Sequence, residues 1–154
     1  MLNPIDFKIV AHLMSQGRTT WTELGTMLGL SAPAAADRVR RLEEKGIIKG
    51  YHAAVDPDSV GIGMAALIAV SLSSAAARER FLSQVRTLPE VLECHHVAGD
   101  DDYVLKVRCR DTRELEQLIS CTLKSISGVC RTRTTVILST IKETSLLPLA
   151  PAGD

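Results

Sequence analysis

Aromatic residues are nearly missing: one Trp, two Tyr and two Phe make up 3% of the 154 residues. So few rings leave little with which to sandwich a flat macrocycle or stack successive nucleobases. A surplus of one charge is missing too. Eighteen Lys and Arg balance eighteen Asp and Glu, which excludes a histone-like blanket of positive charge but leaves room for a local basic patch. Long hydrophobic runs are absent; the least polar stretch, 61–77, is broken by Ser and Gly and is too short and mixed to span a bilayer. The first residues lack the basic-then-apolar pattern of a secretory leader, so a soluble, cytoplasmic chain with no membrane partner is expected. No C-x-x-C pair occurs. The four cysteines, Cys94, Cys109, Cys121 and Cys130, are spaced too widely for a tetrahedral zinc site, and they read as reduced, packed thiols. No metal and no cofactor is expected. Ser-His-Asp, paired-Glu, P-loop and Gly-rich dinucleotide signatures are all lacking, so nothing marks an enzyme.

What is present is an apolar fraction of 45%, enough for one or two small packed domains. The first fifty residues read as three short helices. Asn3 caps the first, with Pro4 at its first position, and Ile5, Ile9 and Leu13 form its stripe before Gly17. Thr20 and Glu23 form a capping box. Trp21, Leu24 and Leu28 are placed on the inward face of the second helix, with Trp21 in the core rather than serving as a base-stacking platform. Gly29 supplies a sharp stop. Ser31 caps the third helix, Pro33 lies in its first turn, Ala35, Val39 and Leu42 face inward, and Gly46 ends it. Two helices joined by a tight turn make a helix-turn-helix. A strand is expected over 48–55, completing a winged-type domain over 1–50 followed by a strand and linker over 51–62.

The remainder, 63–142, alternates strands and helices. Met64–Leu72 is strand-like, 76–87 is helical with Phe81, Val85 and Leu88 on one face, and 91–98 is a strand. A turn follows, and 103–110 alternates Tyr103, Leu105, Val107 and Cys109 with Lys106, Arg108 and Arg110. Asp111 caps a helix carrying Leu115, Leu118, Ile119 and Thr122, Gly128 stops it, and 131–141 is the last strand. The order βαββαβ defines a ferredoxin-like sandwich, so the chain is α+β overall. Residues 143–154, with two Pro beyond 145, read as a loose tail. The strand over 65–72 is apolar on both faces, whereas two helices cover only one face of such a sheet. A second copy of the chain is the cheapest cover for the other face.

The third helix carries the clearest chemistry. With Ala35, Val39 and Leu42 inward, Pro33, Asp37, Arg40, Arg41 and Glu44 face outward, and Arg38 and Lys45 lie on the flanks. Between 38 and 49 there are five basic residues against Glu43 and Glu44. Arginine forks reach guanine O6/N7 or a phosphate, and the small run from Ala34 to Ala36 lets the backbone approach a groove wall. Ser31, Pro33, Ala34, Asp37, Arg38, Arg40, Arg41 and Lys45 are thus the candidate contacts to double-stranded DNA. The plain alternative is a solvated charged helix face.

Residues 2–142 resemble the Lrp/AsnC family of feast/famine transcriptional regulators. The resemblance rests on Ile5-Asp6-x-x-Ile9, Gly29-Leu30-Ser31, Arg38-Val39-Arg40-Arg41-Leu42-Glu43 and Gly46-Ile47-Ile48-x-Gly50-Tyr51. It continues through Glu93-Cys94-His95, Gly99-Asp100-x-Asp102-Tyr103 and Thr132-Arg133-Thr134. It implies a DNA-binding domain joined to a RAM-type sensing domain, dimers that often assemble into octamers, and a response to an amino acid. It also implies that the turn at 99–103 lies at a cleft between subunits.

In that turn three consecutive Asp repel one another unless solvated or met by a cation. The residues allow a solvated hairpin turn, a divalent-cation site, or an amino-acid site. In the last reading Asp100 or Asp102 holds the ammonium. Amides of the turn, with Thr134 or Thr135, hold the carboxylate. Gly99, Asp100, Asp102, Tyr103, Thr134 and Thr135 are the candidate effector residues. Asp101 departs from the hydrophobic or aromatic residue often found there in the family. His95 and His96 point to opposite faces of a strand and read as structural. Two alternatives remain: a siroheme decarboxylase-like enzyme on the same two-domain plan, and an architectural DNA-binding protein without an effector.

Overall fold

The computed structural model describes residues 2–149. It divides the chain into two compact units. One comprises the residues up to 54 with the segment from 142 onward, and the other is 55–141.

The first unit holds α1 (Pro4–Ser15), α2 (Trp21–Leu28) and α3 (Ala32–Glu44). Each begins where a polar side chain satisfies a free amide. Asn3 accepts from the Asp6 amide at 2.8 Å. Thr20 accepts from the Glu23 amide at 3.2 Å while Glu23 accepts from the Thr20 amide at 2.8 Å. Ser31 accepts from the Ala34 amide at 3.3 Å. The α2–α3 turn closes through Gly29 in the left-handed region, φ 68°. Ile9, Leu13, Leu24, Ala35, Val39 and Leu42 form the core.

Two expectations fail here. Trp21 is 46% exposed: the core closes on Leu24, and the first residue of an eight-residue helix lies at its edge. The strand over 48–55 does not form. Ile48 packs against the helical core and the Tyr51 hydroxyl donates to Glu43 at 3.0 Å. An extended segment without a second strand has no ladder to join, so the first unit contains no wing strand among the described residues.

The second unit runs β1 (Met64–Leu72), a 3-10 turn at Ala75–Ala77, α4 (Arg78–Val85), β2 (Val91–His96), β3 (Tyr103–Cys109), α5 (Thr112–Gln117) and β4 (Val129–Ile137). The sheet is antiparallel in the order β2-β3-β1-β4. This is the βαββαβ sandwich expected, with β2 and β3 trimmed and β4 shifted, starting at Val129 and ending at Ile137 rather than spanning 131–141. α5 continues through a π-turn at Leu118–Thr122 and a 3-10 turn at Leu123–Ser125 rather than as one helix. Residues 143–149 form no regular element; the rest of the expected tail lies outside the described residues.

Alternation assigns the two faces of the sheet. Ala66, Ile68, Val70, Tyr103, Leu105, Val107 and Cys109 pack with Phe81, Val85, Leu115, Leu118, Leu123 and Ile126. The opposite face carries Ala65, Leu67 and Ala69 in its centre, cross-paired to Arg108, Lys106 and Val104 on β3 and to Ile137, Thr135 and Arg133 on β4. Leu67 on this face is 39% exposed.

Candidate DNA-reading helix and effector turn

α3 is held from behind. Ala35, Val39 and Leu42 are buried at 2% exposure or less. Arg38 Nη1 meets Asp6 Oδ1 on α1 at 2.9 Å. The flanking arginine therefore braces α3 against α1, and the same Asp6 also accepts from the Asn3 side chain that caps α1. Outward, Ser31, Pro33, Ala34, Arg40, Arg41 and Lys45 are exposed. The side chains of Arg40 and Arg41 are 67% and 66% exposed, with Asp37 between them. The expected surface is thus assembled, less Arg38.

The turn before β3 sorts the three carboxylates into different roles. Its backbone is fixed by Val97 N–H donating to Asp102 O and Asp102 N–H donating to Val70 O, both at 3.0 Å. Asp100 is exposed, and its carboxylate has no hydrogen-bond or ion-pair partner among the described residues. Asp102 Oδ2 accepts from the Leu72 amide at 2.7 Å, which stitches the turn to the end of β1. Asp101, 8% exposed, accepts from Ser71 Oγ at 2.8 Å, from Arg131 Nη2 at 3.1 Å and from Arg133 Nη2 at 2.6 Å. The Ser71 hydroxyl, then the two guanidinia, hold its carboxyl below the usual range. The cation that relieves the repulsion of the run is a pair of arginines from β4.

Two candidate effector residues are placed elsewhere. Tyr103 is 3% exposed, with its ring centroid 5.0 Å from Phe81 and 5.1 Å from His96. Its side chain belongs to the core. Thr134 and Thr135 pair with Ile68 and Leu67. Strand alternation puts them on opposite faces, so the two hydroxyls cannot serve one ligand together. Thr135 shares its face with Arg131 and Arg133.

The cysteines depart from the packed reading. Cys109 is buried, whereas Cys94, Cys121 and Cys130 are exposed, and all four are free. Burial, with Glu114, Glu90 and Asp111 nearby, pushes the Cys109 thiol up to about 11. His95 Nε2 lies 3.0 Å from Glu93 and His96 lies against Tyr103, on opposite faces. Among the described residues no group of three His, Cys, Asp or Glu is placed to hold a metal ion. No helix among them is long and apolar enough to cross a membrane.

Sequence reasoning missed three features that left signals. Asp6 sits one turn before Ile9, within reach of a flank arginine. Arg131 and Arg133 alternate on one strand face, matched to the odd acid Asp101. Gly25 interrupts a good helix former's position in α2. A Cβ there would lie 2.7 Å from Leu30 O.

Known proteins share this arrangement. Residues 2–49 match a winged helix-turn-helix DNA-binding family, and residues 65–147 match the Lrp/AsnC ligand binding domain. The chain is a transcriptional regulator, with a DNA-binding domain and a ligand-binding domain, rather than an enzyme. The leucine-responsive regulatory protein of Haemophilus influenzae is 35% identical over 150 residues, 96% of this chain and 90% of that protein. A transcriptional regulator of Neisseria meningitidis, solved as its L-Met complex, superposes with a TM-score of 0.89 at 36% identity, covering 96% of this chain and 97% of that one. The feast or famine regulatory protein of Mycobacterium tuberculosis, complexed with L-methionine, gives 0.85 at 37% identity, with 93% and 96% covered. The chain belongs to the Lrp/AsnC family.

Proposed function

We propose that this cytoplasmic regulator reads specific double-stranded DNA with α3 and takes a free amino acid as its effector at the turn between β2 and β3. The observation that carries the DNA reading is the exposure of Arg40 and Arg41 on a helix whose other face is locked into a core. Ser31, Pro33 and Ala34 form the leading end of that surface, and Lys45 its trailing end. An arginine that reads a guanine edge contributes about 1–3 kcal/mol, lost mainly on specific DNA, whereas one on a phosphate contributes to any duplex and to the salt slope. Arg40→Ala and Arg41→Ala are each expected to weaken binding to an operator selected from a randomised duplex pool. Fluorescence anisotropy checks this, and unchanged binding by both folded variants would remove α3 from the interface.

For the effector, the chemistry favours Asp100 as the partner of the ammonium. Both Asp101 oxygens already accept from Ser71, Arg131 and Arg133, and Asp102 Oδ2 is held by the Leu72 amide at the end of β1. The ligand carboxylate would be received by amides of the turn around Gly99, with Thr135, which shares the arginine-bearing face, as the threonine candidate. The L-methionine complexes of two relatives make an amino acid the leading ligand class. An amino acid that raises the melting temperature in a screen of the twenty should bind Asp100→Asn at least tenfold more weakly, since hydrogen bonds to charged groups contribute about 1.5–3 kcal/mol. Calorimetric titration reads this directly. Equal affinity of wild type and variant would move the ammonium elsewhere.

Assembly follows from the second sheet face. Ala65, Leu67 and Ala69, bordered by Thr135 and Ile137, form an apolar strip beside charged groups. A second copy covering it gives a homodimer, the unit from which an octamer of the family kind is built.

A further inference from the structure

We infer that Asp37 is a charge clamp that gives this regulator its selectivity: it holds Arg40 and Arg41 on its own carboxylate, oriented for base edges and out of reach of the phosphates of an arbitrary duplex. The inference rests on the reading that α3 faces DNA.

Asp37 lies three and four residues before its partners, on the same face of α3. Its Oδ2 meets Arg41 Nη2 at 2.6 Å, and its Oδ1 is paired with Arg40 Nη2. Each carboxylate oxygen thus serves one arginine. Glu44 adds a looser hold on Arg40, with Nε at 3.8 Å. The Asp37 side chain is 34% exposed, about half as open as the arginines it restrains. One carboxylate held by two guanidinia restricts more side-chain freedom than an isolated surface pair, which on its own contributes little.

A guanidinium has five N–H donors, and the clamp occupies one nitrogen of each arginine. The remaining donors suffice for a forked contact to guanine. With α3 docked in the groove as proposed, the phosphates lie on the groove wall, and reaching one requires the side chain to swing off Asp37. This asymmetry is what creates selectivity. A clamp that had to open on every duplex would lower all affinities by the same factor and change no ratio. A clamp that stays closed on the operator and opens elsewhere penalises only the wrong DNA. The carboxylate also opposes the phosphate field, which is the same for every sequence.

The test compares Asp37→Asn, Asp37→Glu and wild type on two duplexes, the selected operator and a scrambled sequence of equal length, across a salt series. For Asp37→Asn, affinity for the scrambled duplex should rise about tenfold, with log K falling more steeply in log salt by about 0.9 for each phosphate newly engaged. Operator affinity should stay level or fall, so the specificity ratio drops. Asp37→Glu keeps the charge and should recover most of the wild-type ratio. A melting curve for each variant verifies the fold. Equal rises on both duplexes would overturn the clamp, leaving general repulsion. A loss on the operator alone would also overturn it, because Asp37 would then read a base itself, as an acid accepting from cytosine N4 does. No change on either duplex overturns it as well. If Arg40→Ala and Arg41→Ala leave operator binding intact, the DNA reading of α3 fails and the clamp with it. If they weaken binding and Asp37→Asn changes nothing, only the clamp fails.

Discussion

Gly25→Ala is expected to destabilise the first unit by about 1–3 kcal/mol, the usual range for forcing atoms into filled space, and to abolish operator binding. By helix propensity alone the change should help, since Gly in a helix interior is less favourable than Ala by about 1 kcal/mol. The close packing of the turn reverses the sign. A Cβ on Gly25 would stand 2.7 Å from Leu30 O, 3.2 Å from Ser31 C and 3.3 Å from Ala32 N. All three are backbone atoms, so no side chain can rotate away. Gly25 O also accepts from the Leu30 amide at 2.8 Å, closing the α2–α3 turn. Relief requires moving Ser31, the residue that caps α3, and with it the whole of α3. Thermal melting and anisotropy on the selected operator check the two effects. A melting temperature above wild type would mean that propensity outweighs the contact.

Phe81→Ala is expected to cost the second unit about 3–5 kcal/mol, the range for truncating a buried aromatic. Phe81 is the largest fully buried side chain, at 0% exposure, on the inward face of α4. Its ring centroid lies 5.0 Å from that of Tyr103, the first residue of β3. Truncation removes both the buried area and the ring that supports Tyr103, immediately after the proposed effector turn. Urea unfolding followed by circular dichroism should show the loss, and effector affinity should fall with it. A cost below about 1 kcal/mol would mean that Leu82 and Leu88 refill the space, outside the range expected of an unrelaxed cavity.

Local signals were legible in the sequence wherever one residue type has one strong reason to be where it is. The caps at Asn3, Thr20, Ser31 and Asp111 formed as expected. β1 was bounded correctly at both ends because Gly63 and Ser73 flank a run that is apolar except for Ser71. The inward stripe of α3 followed from a period of 3.6 alone. Failures came where the deciding partner is distant in the chain. Residues 48–55 have strand-like composition, but a strand exists only if another pairs with it. The roles of Asp100, Asp101 and Asp102 cannot be separated locally, because Arg131 and Arg133 arrive about 30 residues later on β4. Thr134 and Thr135 were grouped by proximity in sequence although the pleat separates adjacent residues. The spacing of Trp21, Leu24 and Leu28 places Trp21 inward, but spacing decides little at the first position of a short helix.

The thiol of Cys109 turns the second unit into its own clock. It is 1% exposed and its ionisation is pushed up to about 11, so at neutral pH the nucleophilic thiolate is scarce and shielded. Cys94, Cys121 and Cys130 stand open to reagent. An alkylating agent therefore modifies three sites directly and the fourth only through openings that separate β3 from the helices over it. The slow fourth adduct, resolved by intact mass, measures how often that core breathes.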